Sequence, residues 1–249
     1  MRSIKIVHLF PDLLNLYGER GNVTCLQRRC AWRGIPVEVV QVTSGQSLDL
    51  TDVDIVFLGG GADREQELAY RQLMGMKDAL KGFVEAQGVL LAICGGFQLL
   101  GKECLVAEKQ VEGLGLVDMV TKAAGGKAGR FVSDVVVQTE LSSKPVIGYE
   151  NHAGATFLGN GTQPFGKVVS SVGHGNNEAD KVDGARYKNL IGSYLHGPLL
   201  AKSPQVADYL LQKALDVRQA HGEAPVSLLA LDDTIEDEAN AYMAQRLKV

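Results

Sequence analysis

The sequence predicts an α/β protein, a three-layer αβα sandwich on a mainly parallel sheet with an antiparallel β insertion. Three features lead there. Short apolar runs alternate with helix-patterned segments from the N-terminus to about residue 105. The run at 88–93, Gly-Val-Leu-Leu-Ala-Ile, is apolar throughout, as a strand covered on both faces should be. Beyond about residue 105 the rhythm changes to β-like runs separated by Gly, Ser and Asn, with no long helix before the return to the sheet.

Residues 4–10 form the first strand, closed by Pro11-Asp12. Val23, Leu26, Cys30 and Ala31 stand at helical spacing in 20–33, and Gly34 stops that helix. A second strand spans 36–42, and a third at 54–58 runs into Gly59-Gly60-Gly61. The pattern over 64–86 predicts one helix, followed by the apolar fourth strand. In the insertion, 131–138, 145–149 and 166–172 read as strands. Residues 190–195 return to the sheet. Ser203-Pro204 is an N-cap and first-turn pair for a helix over 204–220. The segment 232–248 is acidic at its start and basic at its end, which suits a last helix. No repeat or linker divides the chain, so one domain over 1–249 is expected.

Composition narrows the function classes. Of 249 residues, 45% are hydrophobic and 22% charged, with a formal charge of −4. That balance gives no support for a nucleic-acid groove or for attraction to an anionic membrane. Cys25, Cys30, Cys94 and Cys104 form no C-x-x-C pair and no zinc pattern. No secretory signal or membrane-spanning run is apparent, so a cytoplasmic protein with free thiols and no metal site is expected.

The chemistry concentrates where the fourth strand runs into Cys94-Gly95-Gly96 and a helix-like segment. This is the layout of a nucleophile elbow, in which a sharp turn exposes a reactive side chain and small neighbours let strand and helix approach. Ala92, Cys94 and Gly96 supply the small-x-nucleophile-x-small spacing, and a helix N-terminus favours thiolate. A buried core cysteine is the plainer alternative, but it would not need two glycines after it. Gly59-Gly60-Gly61 matches no phosphate loop. Beside such an elbow, its amides and that of Gly95 are able to serve an oxyanion. A cysteine nucleophile needs a base, and His196 follows a strand at the C-terminal edge where parallel sheets build their sites. His8, His152, His174 and His221 compete for that role, and position alone leaves His196 open between base and structural residue.

Residues 93–101, Ile-Cys-Gly-Gly-Phe-Gln-Leu-Leu-Gly, resemble the elbow of class I, triad-type glutamine amidotransferases, and within them the cobyrinate/cobyrate synthase-like branch. Further segments sharpen the likeness: Tyr17-Gly18-Glu19-Arg20-Gly21-Asn22, Trp32-Arg33-Gly34-Ile35, the run from Gly59 to Gln66, Gly148-Tyr149-Glu150-Asn151-His152, Gly173-His174-Gly175-Asn176-Asn177 and the run from Tyr194 to Leu200. Together they are similar to the glutaminase subunits of lipid II isoglutaminyl synthases, from residue 4 to about 215. The resemblance implies that the chain hydrolyses L-glutamine to glutamate and ammonia. A separate Mur ligase-like subunit, its partner in a heterodimer, would amidate the D-glutamate α-carboxylate of the peptidoglycan stem. ATP and Mg²⁺ belong on that partner, with no cofactor in this chain, which carries no ATP-binding loop. The resemblance makes Cys94 the nucleophile and His196 the base, with Gly60, Gly61 and Gly95 at the oxyanion. It assigns Gln98, Arg130, Asn151 and His152 to substrate binding. A cobyrinate-type amidotransferase, a stand-alone glutaminase or γ-glutamyl peptidase on the same fold, and a non-catalytic binding protein stay open as alternatives.

One departure stands out. Many triad amidotransferases carry an acid two residues after the histidine, and here that position is Pro198. The expectation is that the partner subunit supplies the acid that orients His196. A carboxylate of this chain, Glu150 first, or a simple dyad are the alternatives.

Overall fold

The computed structural model describes residues 2–124 and 129–249. A six-stranded sheet forms its centre. Its strands are β1 (Ile4–Leu9), β2 (Val37–Val42), β3 (Ile55–Leu58), β4 (Val89–Ile93), β13 (Ala185–Tyr187) and β14 (Leu190–Ser193), in the order β13-β14-β4-β3-β1-β2. All neighbours pair in parallel except β13 with β14 at one edge. Leu58 stands beside Ala92 and Ser193 beside Ile93, so the C-terminal ends of β3, β4 and β14 lie level. Every residue of β3 and β4 is buried, which explains why these strands read as unbroken apolar runs.

Helices α1 (Arg20–Trp32), α5 (Leu199–Lys202) and α6 (Pro204–Ala220) pack together as one group. Helices α2 (Asp63–Gly75), α3 (Lys77–Glu85) and α4 (Gly95–Leu99) form another. The single helix expected over 64–86 is thus two. The break falls at Met76, which adopts φ −103°, ψ 0° directly after Gly75, and its N–H bonds back to the Leu73 carbonyl. Pro204 begins α6 as the sequence suggests, but Ser203 makes no side-chain cap. Its hydroxyl is buried without a partner, and its carbonyl receives the Val206 and Ala207 amides. The last helix, α7 (Thr234–Leu247), is tied to the body through the Arg29 guanidinium, which pairs with Asp208 on α6 and with Asp233 at the start of α7.

Between α4 and β13 the chain builds two four-stranded sheets. One has the order β10-β7-β5-β6, from β5 (Glu103–Val106), β6 (Lys109–Glu112), β7 (Met119–Ala123) and β10 (Gly154–Leu158). The other has the order β12-β11-β8-β9, from β8 (Phe131–Gln138), β9 (Val146–His152), β11 (Gly166–Val168) and β12 (Val182–Asp183). The antiparallel insertion is therefore larger than its three legible strands, and it contains one parallel contact, β5 with β7. The register of β8 with β9 sets Phe131 opposite His152 and Val132 opposite Asn151, which brings Asn151 and His152 beside the segment that carries Arg130.

The elbow helix is seated on β14 with no space to spare. A Cβ on Gly192 would lie 2.2 Å from the Phe97 ring, so this strand position accepts only glycine. Gly192→Ala is expected to lose about 1–3 kcal/mol of stability. Gly82→Ala, at an exposed site in α3 where a Cβ meets nothing within 4 Å, is expected to gain about 0.5–1 kcal/mol. Thermal and urea unfolding of the two variants checks both signs.

Candidate active site

Cys94 sits between the last residue of β4 and the first of α4 with φ 49° and ψ −108°. A non-glycine residue in this region carries strain of about 1–3 kcal/mol, held only where surrounding contacts over-determine it. Those contacts are present. The Cys94 N–H donates to the Ser193 carbonyl at 2.8 Å, and its own carbonyl receives the Gln98 N–H at 3.0 Å. A Cβ on Gly96 would stand 2.6 Å from the Gly59 carbonyl oxygen, and one on Gly60 would stand 3.1 Å from the Cys94 Cβ. The glycines after β3 and after Cys94 thus let the two loops touch.

Among the described residues, the N–H groups of Gly60, Gly61 and Gly95 donate to no protein acceptor. Buried amides are nearly always paired, so a set left open beside a thiol is a ready cradle for an oxyanion. Burial pushes the other thiols up, Cys25 and Cys104 to about 12 and Cys30 to about 11, so those cysteines stay protonated and unreactive.

His196 follows β14 and is held by its backbone, whose N–H donates to the Tyr149 carbonyl at 2.9 Å. Its Nδ1–H donates to Oε1 of Glu19 at 2.6 Å, and both side chains are fully buried. The orienting acid is therefore Glu19 of this same chain, and neither a partner subunit nor Glu150 is needed. Glu150 faces elsewhere: it receives Ser133 Oγ at 2.6 Å, His174 Nδ1 at 2.8 Å and the Gly175 N–H at 2.7 Å. Although burial works against its charge, hydrogen bonds from the Ser133 hydroxyl and from the ring and backbone N–H of His174 hold its pKa down to about 2. Two residues after the histidine, the Pro198 ring rests on Gly21, where a Cβ would lie 2.3 Å from the proline Cγ.

Glu19 is itself fixed. It stands at the N-cap of α1, and Asn22 Nδ2 donates to its Oε2 at 3.1 Å while Asn22 Oδ1 receives the Leu200 N–H. Burial alone would lower the His196 pKa, but the Cys94 thiol and the Glu19 carboxylate raise it to about 9. The imidazole is then charged at neutral pH, and among the described residues its buried Nε2 meets no hydrogen-bond partner. The rings of Tyr17 and Tyr149 flank it at 4.7 and 5.3 Å between centroids.

Cys94, His196, Gly60, Gly61, Gly95, Gln98, Arg130, Asn151 and His152 all line one cavity of ≈ 270 Å³. That volume lies just under the roughly 300–1,000 Å³ of drug-sized sites and suits an amino acid. A larger depression of ≈ 740 Å³ at the other end of the sheet, lined by Asp54, Gly88 and Arg218, has no cysteine among its described lining residues. Arg130 is exposed at the cavity rim, with its Nε donating to Asn151 Oδ1 at 2.5 Å. Asn151 Nδ2 in turn donates to the Tyr17 hydroxyl. The His152 Nδ1–H donates to the Gly154 carbonyl at 2.7 Å, and burial lowers its pKa, so this imidazole is neutral.

Sequence reasoning missed Glu19, Tyr17 and Gln66. The available signal was the run 17–22, an acid between two glycines just before a helix, which resembled the family but carried no assigned chemistry.

Glu19→Gln removes the charge that favours imidazolium, so the His196 pKa falls. Glutamine hydrolysis is expected to drop by roughly 10²–10⁴-fold, as when a triad loses its orienting acid. The alkaline limb of the remaining activity is expected to move to lower pH. A pH–rate profile checks both, and an unchanged alkaline limb would contradict the assignment.

The description "CobB/CobQ-like glutamine amidotransferase domain" matches residues 5–204. The chain is 41% identical over 247 residues to subunit GatD of the glutamine-hydrolysing lipid II isoglutaminyl synthase of Staphylococcus aureus (strain N315), covering 99% of this chain and 97% of that one. It is 37% identical over 237 residues to the corresponding Streptococcus pneumoniae subunit, covering 95% and 88%. Among solved structures, a glutamine amidotransferase at 20% identity superposes with a TM-score of 0.52 over 84% of this chain and 98% of that one, which supports the fold. With this match across most of its length, the chain belongs to the CobB/CobQ-like glutamine amidotransferase family.

Proposed function

We propose that this chain is the glutaminase subunit of a lipid II isoglutaminyl synthase. The observation that carries the reading is the buried Glu19–His196 pair beside Cys94, under the open amides of Gly60, Gly61 and Gly95. The Cys94 sulfur attacks the side-chain carboxamide carbon of L-glutamine, and the thiol proton resides on His196. The tetrahedral oxyanion is received by the three glycine amides. Collapse breaks the C–N bond, and the imidazolium proton leaves with ammonia. Water, deprotonated by His196, then opens the γ-glutamyl thioester and releases glutamate. Gln98, Asn151 and His152 border the substrate, and Arg130 takes its α-carboxylate, for which a guanidinium fork is suited.

The ammonia passes to a Mur ligase-like subunit that spends ATP with Mg²⁺ to activate the D-glutamate α-carboxylate of lipid II, giving D-isoglutamine in the cytoplasm. Full-length similarity to subunits of that name supports this assignment. No helix among the described residues is long and apolar enough to cross a membrane.

Cys94→Ala is expected to abolish ammonia release from glutamine, and Cys104→Ala to leave it intact. A glutamine-like electrophile is expected to add mass to Cys94 alone. Full activity in Cys94→Ala would overturn the mechanism. Arg130→Ala is expected to raise KM for glutamine roughly tenfold or more, since a charge-assisted hydrogen bond contributes about 1.5–3 kcal/mol. An unchanged KM would remove Arg130 from the binding set. Amidation of lipid II by the complex of this chain with its synthetase, and not by either alone, tests the pathway assignment.

A further inference from the structure

A hydrogen-bond chain runs behind the cavity, through side chains that are all buried. Gln66 Nε2 donates to Gln98 Oε1 at 3.4 Å, and Gln98 Nε2 donates to the Tyr194 hydroxyl at 3.2 Å. The Tyr194 hydroxyl is 2.6 Å from Thr156 Oγ1, which is 2.7 Å from Thr121 Oγ1. The line crosses from α2, through the elbow helix and the end of β14, into β10 and β7 of the insertion. Tyr194 is its centre, and its ring also stacks on His152 at 3.5 Å between centroids with planes 10° apart.

A buried phenol is costly unless its hydroxyl is bonded, and phenylalanine would fill the same space without that liability. Here the hydroxyl is bonded on both sides, and one partner is a cavity residue. Gln98 has room for only one placement. A Cβ on Gly154 would stand 2.5 Å from its Nε2, so the amide is packed against backbone on that side. With one N–H given to Tyr194 and the carbonyl turned to Gln66, the rotation of the carboxamide is set, leaving its second N–H for another acceptor. Burial also pushes the Tyr194 pKa up, which keeps the hydroxyl a donor at any working pH.

We propose that Tyr194 is a positioning residue for glutamine: its hydroxyl fixes the Gln98 carboxamide and its ring fixes the plane of His152, so one side chain sets two walls of the binding cavity. The inference rests on the glutaminase reading above. It assigns Tyr194 to substrate affinity and leaves bond breaking to Cys94, His196 and Glu19.

Tyr194→Phe keeps the ring and deletes the hydroxyl. Losing one such bond is worth roughly a three- to tenfold change. In the complex with the synthetase subunit, KM for glutamine is expected to rise by that factor while kcat stays within about twofold. Modification of Cys94 by methyl methanethiosulfonate, a small thiol reagent with no carboxamide, is expected to keep the wild-type rate. Alkylation by a glutamine chloroketone is expected to slow in step with kcat/KM. Thr156→Val, which removes the next bond in the chain, is expected to move KM in the same direction by less, and it decides the matter if Tyr194→Phe does not fold. A wild-type KM in the folded variants, or methanethiosulfonate labelling that slows as much as chloroketone labelling, would overturn the role. If the wild-type complex releases no ammonia from glutamine, the glutaminase reading itself is wrong and this inference falls with it.

Discussion

The backbone at Cys94 is the constraint on which the rest depends. A residue with a side chain is held at φ 49° where β4 becomes α4, and nothing local favours that conformation. It is imposed by what surrounds it. Parallel pairing with β14 draws the Cys94 N–H to Ser193, and the start of α4 draws its carbonyl to Gln98. Gly96 meets the carbonyls of Leu58 and Gly59 at distances no side chain would allow. Any of these contacts alone would be a weak restraint. Together they turn the thiol into the cavity and bring the open amides of two loops to the same side of it.

The second constraint is electrostatic. Glu19 and His196 are 177 residues apart in sequence and fully buried, so each would be expensive to hold as an isolated charge. The structure answers with a 2.6 Å bond between them, a further bond from Asn22 to the second carboxylate oxygen, and placement at the start of α1, where the helix dipole favours an anion. Asn22 also receives the Leu200 amide, which ties the acid to the segment just beyond the histidine. The acid and the base are thereby coupled to one packing unit, and Pro198 becomes intelligible as the residue that closes that unit against Gly21.

How much of this was legible follows from what carried each signal. β3 and β4 were readable because burial on both faces makes their apolar runs continuous, whereas β13, three residues at the antiparallel edge of the same sheet, was not read. The elbow was readable because its glycines are adjacent to the cysteine in sequence. Glu19 was not, because a buried acid before a helix looks like an ordinary first-turn carboxylate until the fold brings the segment beyond β14 to the start of α1. The break at Met76 was hidden because helical periodicity continues across it. The insertion was underestimated because β5, β6 and β12 are only two to four residues long and carry too few alternations to register.

The layout also separates two tasks. Cys94, His196 and Glu19 come from the parallel sheet and the segments at its C-terminal edge. Arg130, Asn151 and His152 come from the insertion, whose β8–β9 register aligns them along one side of the cavity. Gln98 stands on the elbow helix but takes its orientation through Tyr194 from threonines of β10 and β7. Under the proposed mechanism, bond breaking falls to the sheet and recognition to the insertion docked upon it. The hydroxyl of Tyr194 sits at that seam, between Gln98 of the elbow helix and Thr156 of the insertion.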